Sequence, residues 1–224
     1  LKFVPDFSSI SKKHFNSSHL NNFHVINPRY EPLQNAYNRL IKRLFDLFFS
    51  SMVIIFILSW LYPLLAIIIK WQSKGPVLFK QMRTGKKNEP FCCYKFRSMY
   101  IDVGDECQQA IRGDCSVTPI GKFIRRTSVD EMPQFSNVLM GKMSIVGPRP
   151  HMIKHTSDYN DNIHNFMVRH FVKPGITGLA QVSGLRGEIK KVSDMKRRVN
   201  ADIKYVQRWN LITDIKICFL TIII

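Results

Sequence analysis

Acidic residues are scarce in this sequence: 16 Asp and Glu stand against 33 Lys and Arg, a formal net charge of +17. That imbalance suits anionic partners, of which nucleic acid, membrane phosphate headgroups and phosphorylated substrates all qualify. C-x-x-C spacing is absent as well. The five cysteines, Cys92, Cys93, Cys107, Cys115 and Cys218, are odd in number, so they indicate neither a disulfide framework nor a zinc site and read as free thiols in a reducing compartment. No Walker loop, nucleophile elbow, zinc knuckle, repeat or low-complexity tract occurs. His151 and His155 are spaced i, i+4 but lack the Glu of a zinc-binding helix. The chain opens on Leu1 without the basic-then-apolar layout of a signal peptide, and we expect it to be a fragment of a longer protein.

Charge is missing altogether from Leu47 to Ile69. At about 1.5 Å per residue, a straight helix over that run is long enough to cross a bilayer's hydrocarbon core. Two features argue against a simple span. Pro63 lies inside the run, where it removes a backbone donor and crowds the preceding turn, predicting a kink or break near Tyr62. Both flanks are basic, Arg39, Lys42 and Arg43 on one side and Lys70, Lys74, Lys80, Arg83, Lys86 and Lys87 on the other. The positive-inside tendency then puts both ends on the cytoplasmic face. A re-entrant helix that bends at a Pro63 hinge satisfies both features.

The remaining pattern predicts an α+β fold, mainly helical. Residues 1–38, interrupted by Pro5, Pro28 and Pro32, read as a linker or the tail of an upstream domain. Residues 39–72 form the membrane helix and 73–224 a catalytic domain at the cytosolic face. A small β-hairpin is expected from Val77–Phe79 and Phe91–Phe96, and helices around Gly121–Arg126, Met132–Met140 and Ile163–His170. The segment Leu211–Ile224 places Asp214 and Lys216 among apolar residues, which suits an interfacial or core helix.

The densest chemistry lies in Arg125-Arg126-Thr127-Ser128-Val129-Asp130-Glu131-Met132-Pro133. Proline is tolerated in a helix's first turn, so Pro133 puts a helix start near Asp130. In the plainest reading, Ser128 and Glu131 form a capping box and Asp130 favours the helix dipole. In the functional one, the helix end and the two arginines hold a carboxylate anionic and a phosphate beside it. A carboxylate so placed can attack phosphorus to give an acyl phosphate. Its neighbour is then available for a hard divalent cation such as Mg²⁺.

Four motifs occur in order: Lys95-Phe96-Arg97-Ser98-Met99, Thr127 to Gln134, Met143-Ser144-Ile145-Val146-Gly147-Pro148-Arg149-Pro150, and Lys173-Pro174-Gly175-Ile176-Thr177-Gly178. Together they resemble the bacterial sugar transferase family, the monotopic polyprenyl-phosphate phosphoglycosyl transferases, from about Arg39 onward. The resemblance implies an inner-membrane enzyme that takes a UDP-sugar, forms a phosphosugar on Asp130, releases UMP and passes the phosphosugar to undecaprenyl phosphate with Mg²⁺ present. Such a step initiates exopolysaccharide, O-antigen or capsule synthesis. Glu131 would be a metal ligand, and Lys95, Arg97, Arg125, Arg126 and Arg149 would bind phosphates. Asp202 matches a further family acid near the site. Leu179, where Trp is usual, and Tyr62, where Ser is common before the Pro, depart from the family pattern.

Two other readings compete with an enzyme. A nucleic-acid-binding protein would have no use for the charge-free segment, so no nucleic-acid partner is expected. A non-catalytic polybasic membrane scaffold would account for the flanks but not for the Asp-Glu pair beside two arginines. The stretch Arg29-Tyr30-Glu31-Pro32-Leu33 resembles the junction of larger family members, a likeness that implies glucose or galactose as the sugar, while homo-oligomerisation is left open.

Overall fold

In the charge-free run, helix-forming Leu, Ile and Met alternate with aromatics and no glycine interrupts them. The computed structural model accordingly places one helix from Ala36 to Gln72, 37 residues long, sufficient in length and composition to cross a membrane. Described are residues 31–100, 117–153, 163, 166–187 and 192–223, together with the backbone of 16–20 and 23–27. An antiparallel hairpin of β1 (Asn16–Leu20) and β2 (Phe23–Asn27) lies in the segment read as a linker. The long helix comprises α1 (Ala36–Val53), a π-helical turn at Ile54–Leu58 and α2 (Ser59–Gln72).

The helix does not break at Tyr62; it continues through Pro63. The irregularity instead lies upstream, where the N–H of Ser59 bonds Ile54 O, five residues back. This wider turn shifts the carbonyl ladder ahead of the proline. Two side chains join it: Ser59 Oγ donates to Ile55 O at 2.6 Å, and Trp60 Nε1 donates to Phe56 O at 2.9 Å. These two bonds serve carbonyls of the wider turn itself; the carbonyl that Pro63 leaves without its usual donor is Ser59 O, four residues before it.

One stripe of the long helix, Lys42, Asp46, Ser50, Leu58, Leu65 and Ile69, is buried against the rest of the molecule. Tyr37, Leu40, Leu44, Phe48, Ile55, Phe56, Trp60, Ile67 and Trp71 are exposed. The polarity is inverted relative to a soluble amphipathic helix, with charge inside and apolar side chains outside. Lys42, counted in the sequence among the basic flank of the membrane helix, is an internal cation. Its Nζ reaches Asp214 at 2.7 Å and donates to Tyr205 Oη and Val146 O at 3.0 Å.

Antiparallel β3 (Leu78–Thr84) and β4 (Pro90–Phe96) form the expected hairpin, with Leu78 opposite Phe96 and Thr84 opposite Pro90. Next come α3 (Pro119–Arg126), a 3₁₀ turn at Val129–Glu131 and α4 (Gln134–Leu139). β5 (Ser144–Val146) and β6 (Gly175–Thr177) pair in parallel, which the sequence did not foretell. A 3₁₀ segment covers Phe166–Phe171, followed by short α5 (Leu179–Val182), α6 (Val192–Gln207) and α7 (Leu211–Ile223).

Three apolar clusters hold these parts. Phe91, Phe135, Val138, Met143, Val146, Tyr205, Val206 and Ile217 make the largest, against which Phe45 and Phe49 of α1 pack. Leu58, Leu65 and Ile69 join Val77, Phe96 and Ile124 in a second, and Met195 and Val199 of α6 meet Ile163 and Phe166 in a third. The long helix contributes to the first two, so it lies along the body throughout its length.

Candidate active site

The sheets and turns bring three of the four sequence motifs to one place. Lys95 stands near the end of β4, whose backbone is clipped to α4 by Asn137: Tyr94 N donates to Asn137 Oδ1 at 3.0 Å, and Asn137 Nδ2 donates to Cys92 O at 2.7 Å. That clip sets the turn carrying Asp130 and Glu131 beside Lys95. Lys95 Nζ lies 2.8 Å from Glu131 Oε1 and 3.7 Å from Asp130 Oδ2.

Arg149 arrives from the opposite side. Its two terminal nitrogens grip the two oxygens of Glu131, Nη1 on Oε2 at 3.1 Å and Nη2 on Oε1. Such a fork fixes orientation as well as charge. The loop presenting Arg149 is held by its own carbonyls: Arg169 Nη2 donates to Arg149 O at 2.7 Å and Arg83 Nη1 to Pro150 O at 3.1 Å. The fourth motif supports the third from beneath. Gly147 N donates to Thr177 O and Gly175 N to Pro148 O, each at 2.9 Å, and a Cβ on Gly175 would sit 2.1 Å from Gly147 N.

The two carboxyls differ in electrostatics. Burial pushes Glu131 upward, but Arg149 and Lys95 together outweigh it and hold the group far below the usual carboxylate range. Burial likewise raises Asp130, and here it prevails over Lys95, Arg125 and Arg149 because the Glu131 charge adds to it. Adjacent groups driven apart in this way are suited to different tasks. Glu131 is a locked anion, whereas Asp130 retains basicity.

A helix dipole contributes less than the sequence suggested. Asp130 and Glu131 lie on a 3₁₀ turn, and the helix after Pro133 has only six residues. No capping box forms: Ser128 is left-handed at φ 57°, caps nothing, and its Oγ accepts from Arg186. The cationic side chains therefore supply most of the stabilisation.

A bacterial sugar transferase family model matches residues 37–224. The chain belongs to that family. It is 42% identical over 221 residues, 98% of its length, to a UDP-glucose:undecaprenyl-phosphate glucose-1-phosphate transferase of Klebsiella pneumoniae, of which the match covers 47%. It is 40% identical over 183 residues, 81% of the chain and 43% of the relative, to a UDP-N-acetylgalactosamine-undecaprenyl-phosphate N-acetylgalactosaminephosphotransferase of Aeromonas hydrophila. An exopolysaccharide production protein of Rhizobium leguminosarum bv. phaseoli is 41% identical over 188 residues, 82% of the chain and 94% of that protein. The chain thus spans about half the length of the first two of these relatives.

Within this family member, the other residues singled out by sequence take varied places. Arg125 Nε donates to Ser98 Oγ at 2.7 Å, and its charge is felt at Asp130. Arg126 is exposed. Arg97 is buried and donates to Lys74 O at 2.8 Å and Ser73 O at 2.7 Å, so its guanidinium serves the end of α2. Asp202 pairs with Arg169 at 2.9 Å and so reaches the site through the Arg149 carbonyl. Burial pushes Asp202 up to about 6 despite Arg169 beside it. His155 lies outside the described residues, and no cluster of three His, Cys, Asp or Glu suited to a metal occurs among those described. The sequence placed Arg83 only in the basic flank of the membrane helix and did not single out Arg169. A signal existed for Arg169, a lone charge within Phe166-Met167-Val168-Arg169-His170-Phe171-Val172.

Proposed function

We propose that the protein transfers a sugar-1-phosphate from a UDP-sugar to undecaprenyl phosphate at the cytoplasmic face of the inner membrane, through a phosphosugar carried on Asp130. The opposed settings of the two adjacent carboxyls carry this reading. A nucleophile must keep an available electron pair, and Asp130, raised by burial and touched at 3.7 Å only by Lys95 among ion pairs of the described residues, meets that need.

In the first displacement an Asp130 oxygen attacks the sugar-bearing phosphorus, and the bond from that phosphorus to the UMP oxygen breaks. UMP departs with the electron pair, its charge met by Lys95, Arg125 and Arg149. In the second, a phosphate oxygen of undecaprenyl phosphate attacks the same phosphorus and the bond to Asp130 breaks. The carboxylate is regenerated and a lipid-linked diphosphosugar leaves. Glu131 holds Lys95 and Arg149 in place throughout, an organised electrostatic setting that needs little rearrangement during reaction.

Magnesium fits as a substrate-shared ion. It favours one or two carboxylates plus substrate phosphates over a protein cage; Asp130 offers a hard oxygen, and Glu131 would offer one on exchanging a contact with Lys95 or Arg149. When bound it would neutralise diphosphate charge. The outward apolar face of α1 and α2 supports membrane attachment, with the re-entrant course as its form. Glucose is the donor sugar to test first, since the Klebsiella relative is named for UDP-glucose, and the Rhizobium relative's name points to exopolysaccharide production.

The test is to incubate the purified protein with UDP-glucose in the absence of acceptor and follow UMP together with intact mass. Release of UMP and a hexose-phosphate adduct mapped to Asp130, both lost in Asp130→Asn, are expected. UMP release that survives Asp130→Asn would defeat the covalent reading.

A further inference from the structure

A second concentration of positive charge lies at the far end of the β3–β4 hairpin from the carboxylate pair. Gly85, Lys86, Glu89, Pro90, Phe91, Gly141, Lys142 and Lys173 line a recess of about 160 Å³, room for roughly five waters at ~30 Å³ each. Phe91 and Lys95 are four residues apart on β4, about 13 Å at ~3.3 Å per residue, which separates the recess from the catalytic turn.

Its lining carries Lys86, Lys142 and Lys173 against the acid Glu89. Lys86, Lys142 and Lys173 form no ion pair among the described residues, and Glu89, the acid in the lining, forms none either. Gly141, left-handed at φ 78°, leaves the floor open: the position of a Cβ there is 3.6 Å from both Arg43 Nη2 and Lys173 Nζ. Burial lowers Lys86, and Arg39 and Lys87 lower it further. Burial and Arg43 likewise lower Lys173, with Asp46 opposing. Like charges gathered in a concave site gain most from a polyvalent anion.

The neighbouring surface favours a lipid as the source of that anion. Arg39 and Arg43 belong to the first turns of α1, whose exposed Tyr37, Leu40 and Leu44 begin the apolar face. A headgroup phosphate would therefore meet the recess while its acyl chains meet α1. We propose that this recess binds the phosphate of an anionic phospholipid. The inference rests on the membrane-facing reading of α1, but not on the chemistry of Asp130.

The experiment is flotation of the full chain with vesicles of phosphatidylcholine alone or with phosphatidylglycerol added, at physiological salt. Wild-type protein is compared with Lys86→Gln/Lys142→Gln/Lys173→Gln and with Lys196→Gln/Arg197→Gln/Lys204→Gln, which removes equal charge from α6. At about 1 kcal/mol per basic residue near a charged surface, the recess variant is expected to lose the preference for anionic vesicles by about tenfold or more. The α6 variant is expected to keep it, and both should bind phosphatidylcholine as before. UMP release in detergent, unchanged in the recess variant, shows that it is folded and separates this test from failure of the proposed chemistry. If the triple variant does not accumulate, Lys142→Glu, at an exposed position, carries the comparison with the same expected direction. Equal losses in both triple variants would overturn the proposal. So would displacement of vesicle-bound protein by millimolar inorganic phosphate with no difference between lipid compositions, which would assign the recess to a soluble anion.

Discussion

At the scale of single residues, the important contrast is between a carboxyl gripped on both oxygens and its neighbour, which is left available. Because burial raises Asp130, the acid limb of kcat/KM should lie above the usual aspartate range of about 4. Lys95 is the strongest group opposing that rise. Lys95→Gln should therefore move the limb to higher pH and slow UMP release, while Lys95→Arg should restore the limb in part; a pH–rate profile reads both. Glu131→Gln should lower kcat by about 10²-fold, the scale for removing one organised electrostatic group, because Lys95 and Arg149 then lose the anion that orients them. Asp130, Glu131, Lys95 and Arg149 were legible in the sequence because each lies in a short ordered motif. Arg83 and Arg169 act on Arg149 from remote parts of the chain, and local text gives no measure of such proximity. The helix-dipole argument failed for a local reason: a 3₁₀ turn and a six-residue helix replaced the expected continuous helix.

At the scale of elements, close backbone packing fixes the arginine loop. Gly175→Ala would place a methyl against Gly147 backbone, which cannot swing away as a side chain could. It should cost about 1–3 kcal/mol or more and depress activity through Arg149, checked by thermal unfolding and UMP release. The contact of α6 with the 3₁₀ segment offers a pH test. His170, pushed down to about 4 by burial and then Arg169, binds fewer protons folded than unfolded. Its stabilisation is full above about 6.5 and is lost as pH falls toward 4. Asp202, raised to about 6, acts in the opposite sense, with its contribution present below about 4 and lost as pH rises through 6. Melting curves across pH 4–7 should show a steeper rise with pH in Asp202→Asn than in wild type, and a shallower one in His170→Gln. The hairpin and the long helix were readable from periodicity and turn residues. The parallel β5–β6 pair was not, because three-residue strands leave no periodic trace and their pairing depends on glycines far apart in sequence.

At the scale of the whole molecule, the first and last helices are fastened by one internal knot. Lys42, Asp214, Tyr205 and Trp209 share it: Tyr205 Oη donates to Asp214 Oδ1 at 2.8 Å and Trp209 Nε1 to Asp214 Oδ2 at 2.9 Å. Lys42→Met alone should destabilise by about 3–5 kcal/mol, since it strands a carboxylate with no exposure to water. Lys42→Met with Asp214→Leu should recover much of that loss in thermal unfolding, as apolar replacements of buried pairs commonly do. The sequence marked Asp214 as a charge within apolar text and counted Lys42 among a basic flank, and it could not reveal that the two answer one another across 172 positions.

The same knot imposes an order on biosynthesis. While the ribosome is still reading the middle of the message, the ammonium near the start of the long helix has no counter-charge, and the groove that will receive it is incomplete. The helix can begin to pack on Val77, Phe96 and Ile124 early, but Lys42 gains its buried counter-charge only after residue 214 has cleared the exit tunnel. A message cut short before that codon should therefore yield a bilayer-bound but unlatched chain, exposed to proteases even with every catalytic side chain already made.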